Sequence, residues 1–197
     1  MYKRQTFTQY ANQHGYKVFV LHEPLDHRPA SWSKLPLMLE FVGGWDTIVC
    51  IDVDAMIMRW DKDYFQEVLD NNDGNIAFGV EGAARTPNCG LWIVRGKREG
   101  TVNYLKTVDG MDGYYHNGTV EQAAVHKLLG YSKGVPSVAF VRDTILLSPR
   151  YNDCFHVCDD AIVRHWAGQS HQVRIAGMSR TLGELGLEPT PMKRIES

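Results

Sequence analysis

The sequence predicts an α/β domain with one mixed, mostly parallel sheet flanked by helices, and three observations predict it. Short apolar runs rich in β-branched residues alternate with amphipathic stretches of about ten residues, the pattern of strands joined by helices. One of those runs, Thr47–Ile51, leads into two carboxylates, Asp52 and Asp54, placed where an open α/β sheet presents its ligand-binding edge. At 197 residues and 44% hydrophobic composition, the chain is long enough for one sizeable core and short for two. A single domain over residues 1–186 and a proline-containing tail over 187–197 are therefore expected.

In chain order, residues 6–14 read as a helix ended by Gly15, and Lys17–Leu21 as a strand. The polar, proline-punctuated stretch 22–31 is a loop. Over 31–41, Trp32, Leu35, Leu39 and Val42 recur at helical steps and face a core. Thr47–Ile51, preceded by Gly43-Gly44, is a short buried strand. Residues 61–69 form a helix closed by Asn71-Asn-Asp-Gly74. Ile76–Val80 is a strand, 81–89 a loop, and Leu91–Arg95 a strand. Helices over 97–108 and 119–129 bracket a Gly- and Tyr-containing loop, and Gly130 closes the second. Short strands are expected at 138–141, 144–147 and 161–165.

The formal charge of −2, with no stripe of lysine and arginine, offers no electrostatic case for nucleic-acid binding. No apolar run is long enough to span a bilayer, and the first residues lack the apolar core of a signal peptide. The four cysteines make no disulfide framework, which points to a reducing, cytoplasmic setting. Asn117-Gly-Thr119 is formally a glycosylation sequon, without consequence there.

Asp52 and Asp54 flank Val53, so both side chains point the same way if the strand conformation continues. Like charges that close call for a cation between them. A hard divalent ion, Mg²⁺ or Mn²⁺, satisfies this and would in turn hold a phosphate. The alternative is a helix cap or turn, although the apolar flanks on both sides embed the pair in a core segment. His165, at the end of an apolar strand, is a candidate third ligand or else a hydrogen-bonded structural histidine. Lys34 near a helix start opposes the helix dipole, so something anionic offsets it unless it is a plain surface lysine. Asn88-Cys89-Gly90 lets a ligand approach the backbone, or is a turn. Gln122 stands in capping-box register with Thr119, whereas Glu121 is either functional or a first-turn acid. Cys154-Phe-His-Val-Cys158 lacks the second half of a zinc motif.

In order, His14-Gly15-Tyr16, Arg28-Pro29 with Ser31–Pro36, Ile51–Met58, Asn88–Gly90, Glu121–Ala124 and His165–Gly168 resemble the motifs of the galactosyl- and mannosyltransferase family, which includes yeast α-mannosyltransferases and plant xyloglucan xylosyltransferases. More loosely, the chain is similar to domains encoded by large algal viruses, some of which handle rhamnose. The resemblance implies the Rossmann-like GT-A fold and a Mn²⁺- or Mg²⁺-dependent glycosyltransferase. Such an enzyme moves a hexosyl or pentosyl group, with retention, from a nucleotide diphosphate sugar, with uridine as the expected base, to a glycan or glycoconjugate acceptor. Asp52 and Asp54 would be the Asp-x-Asp motif and His165 would complete the metal site. Lys34 and Arg28 would meet the nucleotide or its diphosphate, Asn88 and Gly90 would line the sugar site, and Glu121 and Gln122 would lie near the anomeric carbon. The family usually has Asp at position 121. Its first strand has no counterpart ahead of residue 6, so an amino-terminal truncation is expected; a fragment of a eukaryotic member would belong in the Golgi lumen.

Two other readings remain open. A haloacid-dehalogenase-like phosphatase would use Asp52 as nucleophile, with Ser148 and Asp159-Asp160 as partners, but lacks the lysine expected between them. A non-catalytic nucleotide-sugar binder would keep the metal site without turnover.

Overall fold

The computed structural model describes residues 3–81, 85–116, 118–132, 135–154 and 158–187. The sequon residue Asn117, residues 155–157 between the two late cysteines and tail residues 188–197 lie outside the described residues. Six strands and seven α-helices are formed among them: α1 (Lys3–His14), α2 (Lys34–Phe41), β1 (Thr47–Ile51), β2 (Ala55–Ile57), α3 (Tyr64–Asp70), β3 (Ile76–Glu81), β4 (Thr86–Arg95), α4 (Glu99–Asp109), α5 (Val120–Leu129), α6 (Val138–Asp143), β5 (Thr144–Leu146), β6 (Val163–His165) and α7 (His171–Glu184). A four-stranded sheet runs β1-β4-β3-β5, and β2 and β6 make a separate antiparallel pair.

The α/β class with a mixed sheet and flanking helices is as the sequence predicts, but the sheet is not mostly parallel. β4 pairs antiparallel with both β1 and β3, and only β3–β5 is parallel. The reason lies in the connection. Only residues 82–85 lie between β3 and β4, and a link that short can join only antiparallel neighbours.

Period-two alternation along the strands divides the core. Trp92 and Val94 of β4, with Ile76 and Phe78 of β3, pack with Trp32, Leu35, Met38, Tyr104, Leu105 and Val125 under α2, α4 and α5. Leu91 and Ile93, with Ala77, turn to the opposite face and meet Tyr10 of α1 and Phe65 and Leu69 of α3. Both faces of β4 are thus covered, which explains its continuous burial. Gly130 takes the left-handed conformation, φ +81°, that ends α5.

Asp63 ties α1 to α3. Its carboxylate caps α3 by accepting from Gln66 N (3.1 Å) and also accepts from the hydroxyls of Tyr10 (2.8 Å) and Tyr16 (3.0 Å). Replacing Asp63 by Ala leaves three donors without that acceptor, and a stability loss of about 2–3 kcal/mol in urea unfolding is the expected outcome.

Three expected elements differ. Lys17–Leu21 pairs with no strand among the described residues and is largely exposed, Phe19 to 56%; apolar alternation makes a strand only where a neighbour supplies the ladder. Residues 138–141 open α6 rather than a strand: Val138 and Val141 are exposed, so their β-branched side chains have no sheet face to pack on. Within the expected loop 81–89, Glu81 and residues 86–89 are strand. β4 begins at Thr86, pairs with Gly79–Glu81, and then leaves the β3 ladder through an irregularity opposite Phe78/Gly79.

Candidate functional site

The site forms where β1 ends. The strand conformation does not continue through Asp-Val-Asp: Ala55 N donates to Asp52 O (3.1 Å), closing a turn that leaves Val53 exposed. Both carboxylates still converge, each fixed through its backbone. Asp52 N donates to Gly90 O (2.8 Å) and Trp166 N to Asp54 O (2.8 Å). The β2–β6 register sets Ala55 opposite His165, which brings the imidazole to the pair. One ligand atom from each of Asp52, Asp54 and His165 lies within 4.8 Å of the others, and among the described residues this is the one such group of His, Cys, Asp and Glu. Asp160, a partner the phosphatase reading would need, pairs with Arg150 (3.2 Å) instead.

Asn152 orients the imidazole. Its Nδ2 donates to Cys154 Sγ (3.2 Å), which turns its Oδ1 to His165 Nδ1 (3.0 Å). On that network Nδ1 is the donor and Nε2 faces the carboxylates, 3.2 Å from Asp54 Oδ1 and 4.0 Å from Asp52 Oδ2. A nitrogen lone pair and a carboxylate oxygen that close repel unless a proton or a metal ion lies between them. Two carboxylates and an imidazole also make a donor set suited to Mn²⁺ or Mg²⁺, so the residues fit a divalent ion.

Gly90 makes room for the ring. A Cβ there would run into His165 Cε1 and lie 2.6 Å from its Nδ1, a contact no real side chain makes. The β4 irregularity carries Cys89 and Gly90 out of the β3 ladder and up to this position, just past Asn88, which still pairs with Gly79.

Behind Asp52 lies a second charged group. Lys34, from the start of α2, donates to Asp52 Oδ1 (2.8 Å) and to Cys89 O (2.7 Å), and pairs with Glu121 Oε1 (2.7 Å). Burial alone would depress its ammonium, yet Asp52 and Glu121 outweigh burial and hold its pKa well above the ordinary lysine value. Glu121 is 3% exposed, and its Oε2 is buried with no hydrogen-bond partner. Val120, just before it, has φ +45°, a rare backbone state for a β-branched residue. Gln122 is not a cap: its Oε1 accepts from Cys89 N (3.0 Å), and its Nε2 donates to Glu81 Oε1 (3.2 Å). Asn88 Nδ2 donates to the other oxygen of Glu81 (2.6 Å) while its Oδ1 accepts from Gly90 N (2.8 Å).

Asp54 is held from two sides, by His165 and by Arg174 Nη1 on Oδ2 (2.9 Å). Burial would raise its pKa, but these partners outweigh burial and bring it down to about 2. Burial pushes the Cys50 thiol up to about 12 and Cys89 well above the ordinary thiol range, so neither offers a thiolate ligand at neutral pH.

Of the residues singled out in the sequence, the structure therefore brings together Asp52, Asp54, His165, Lys34, Asn88, Gly90, Glu121 and Gln122. Arg28 stands apart. Its guanidinium pairs with Asp26 and Asp109 (2.6 Å each) and faces Tyr115 and Trp32. Three contributors had not been singled out: Asn152, Glu81 and Arg174. Glu81 carried a signal, a carboxylate one residue past an apolar strand; Asn152 and Arg174 carried none. The Asp52–Asp54 turn opens on a cleft of about 930 Å³ bounded by α1, residues 14–24, α2 and β1, a volume that suits a small-molecule ligand.

No protein-family profile matches the chain, and no curated protein matches it. Among solved structures it is similar to a glycosyltransferase involved in the glycosylation of the major capsid of PBCV-1, with a TM-score of 0.67 at 16% identity, covering 91% of this chain and 91% of that chain. The likeness shows a glycosyltransferase fold.

Proposed function

We propose that the chain is a metal-dependent glycosyltransferase of the GT-A type that uses a nucleotide diphosphate sugar, with UDP as the carrier. The observation that carries this reading is the convergence of Asp52, Asp54 and His165 at one end of a cleft in a glycosyltransferase fold. Asp52, Asp54 and His165 would hold Mn²⁺ or Mg²⁺, with Asp52 and Asp54 as the Asp-x-Asp motif. When bound, the ion neutralises charge that builds on the departing diphosphate.

Lys34 adds a second fixed positive charge beside Asp52, where the leaving group gains its negative charge. Glu121 and Gln122 lie near the anomeric carbon, position the sugar and shield its short-lived oxocarbenium-like state, and Asn88 and Gly90 line the sugar site. The bond from the anomeric carbon to the diphosphate oxygen breaks, and a bond to an acceptor hydroxyl forms on the same face, with retention. The acceptor's proton leaves to the departing phosphate. The acceptor is a glycan or glycoconjugate. Arg28, fixed by Asp26 and Asp109 in the loop before α2, meets the nucleotide or its diphosphate away from the metal ligands. Among the described residues no helix is long and apolar enough to cross a membrane.

Calorimetric titration with a panel of UDP- and GDP-sugars, each with Mn²⁺ and with chelator, tests the reading. Metal-dependent binding of one nucleotide is expected, and no binding in any arm would overturn it. A transfer assay on the sugar that binds separates an enzyme from a binder. Gly90→Ala drives a methyl group into the His165 ring, and Mn²⁺ affinity about tenfold or more below wild type is expected by calorimetry.

A further inference from the structure

We infer that Arg174 is the counter-ion that competes with a metal for the charge of Asp54, and that it thereby sets the metal affinity of the site. The inference rests on the metal reading above. Asp54 uses Oδ1 toward His165 and Oδ2 toward Arg174, so both carboxylate oxygens are engaged by cationic or ligating groups.

Arg174 reaches this place on a helix anchored by other residues. Met178 and Leu182 of α7 are buried against Met56 and Trp166. Gly177 lies flush with the Trp166 indole, which a Cβ there would strike. Arg174 then falls in the first turn of α7, after the Ser170 cap, where the helix dipole disfavours a cation. Asp54 supplies the negative charge that offsets it.

The hold is of a kind that can be exchanged. It is a single Nη1–Oδ2 bond rather than a two-bond fork, and Nε is buried with no acceptor. The Arg174 side chain is 34% exposed and has solvent to turn into. Lys34 contrasts with it, being buried and bound by Asp52, Glu121 and Cys89 O together. A divalent ion on Asp54 and His165 would share one carboxylate with the full positive charge of Arg174, and the two repel. Metal binding therefore includes the work of holding two cations on one carboxylate, which weakens the Arg174–Asp54 pair.

The test is a Mn²⁺ titration without nucleotide, by calorimetry and by the electron spin resonance signal of free Mn²⁺, on the whole chain with Arg174 wild type, Arg174→Gln and Arg174→Lys. Arg174→Gln is expected to bind Mn²⁺ about three- to tenfold more tightly than wild type, whereas Arg174→Lys stays near wild type because it keeps the competing charge. A purely structural role would lower affinity, not raise it. Equal or weaker binding by Arg174→Gln, or an equal rise in both variants, overturns the inference and leaves the metal site standing. Absence of Mn²⁺ binding in all three proteins overturns the metal reading and this inference with it.

Discussion

Asp54→Ala is expected to abolish Mn²⁺-dependent nucleotide-sugar binding while the domain still folds. Asp54 supplies one of only two carboxylates in the three-residue group, and it is the one in direct contact with the third member, His165. Removing it leaves one acid and one imidazole, and a loss of about 100-fold or more in metal affinity is expected. The structural cost is smaller. The side chain is 13% exposed and Arg174 can reach water once released, so about 1–2 kcal/mol is expected. Thermal melting with parallel calorimetry separates the two effects. A folded variant that binds nucleotide sugar and Mn²⁺ as tightly as wild type would sink the metal-site assignment.

Lys34→Met is expected to have the largest effect on stability. Lys34 and Glu121 are both buried, and Glu121 already has one oxygen without a partner. With the ammonium gone, Glu121 keeps a buried carboxylate with no compensating charge, and breaking such a pair from one side costs about 3–5 kcal/mol. Asp52 is partly exposed, so water screens the charge it is left with. Adding Glu121→Gln to Lys34→Met removes the stranded charge and is expected to recover most of the loss in urea unfolding. No recovery in the double variant would show that Lys34 stabilises by packing and not by charge.

Much of the site is legible in local sequence because ends of elements announce themselves. Asp52 and Asp54 follow a β-branched run and His165 closes another, each a polar group where an apolar period stops, and Glu121 is an acid in the first turn of a helix. The turn at Asp52–Asp54 was less legible, since an i to i+3 bond and a continuing strand both suit Asp-Val-Asp. At Gln122, spacing from Thr119 matched a capping box, yet Cys89 N and Glu81 compete for the same amide and prevail. Residues 81–89 read as a loop in sequence because Pro87 and Asn88 are turn-prone, and only pairing with Gly79–Glu81 makes them a strand.

By itself, the sequence determined the α/β class, the division of most apolar runs between helices and strands, and the chemical type of most groups in the site. These follow from local period and from which residues can end an element. Tertiary structure alone decided that the sheet is largely antiparallel, that Asn152 aims His165, and that Arg174 faces Asp54 from 120 residues away. Those pairings depend on how packed faces align in space, and no local period along the chain records that alignment.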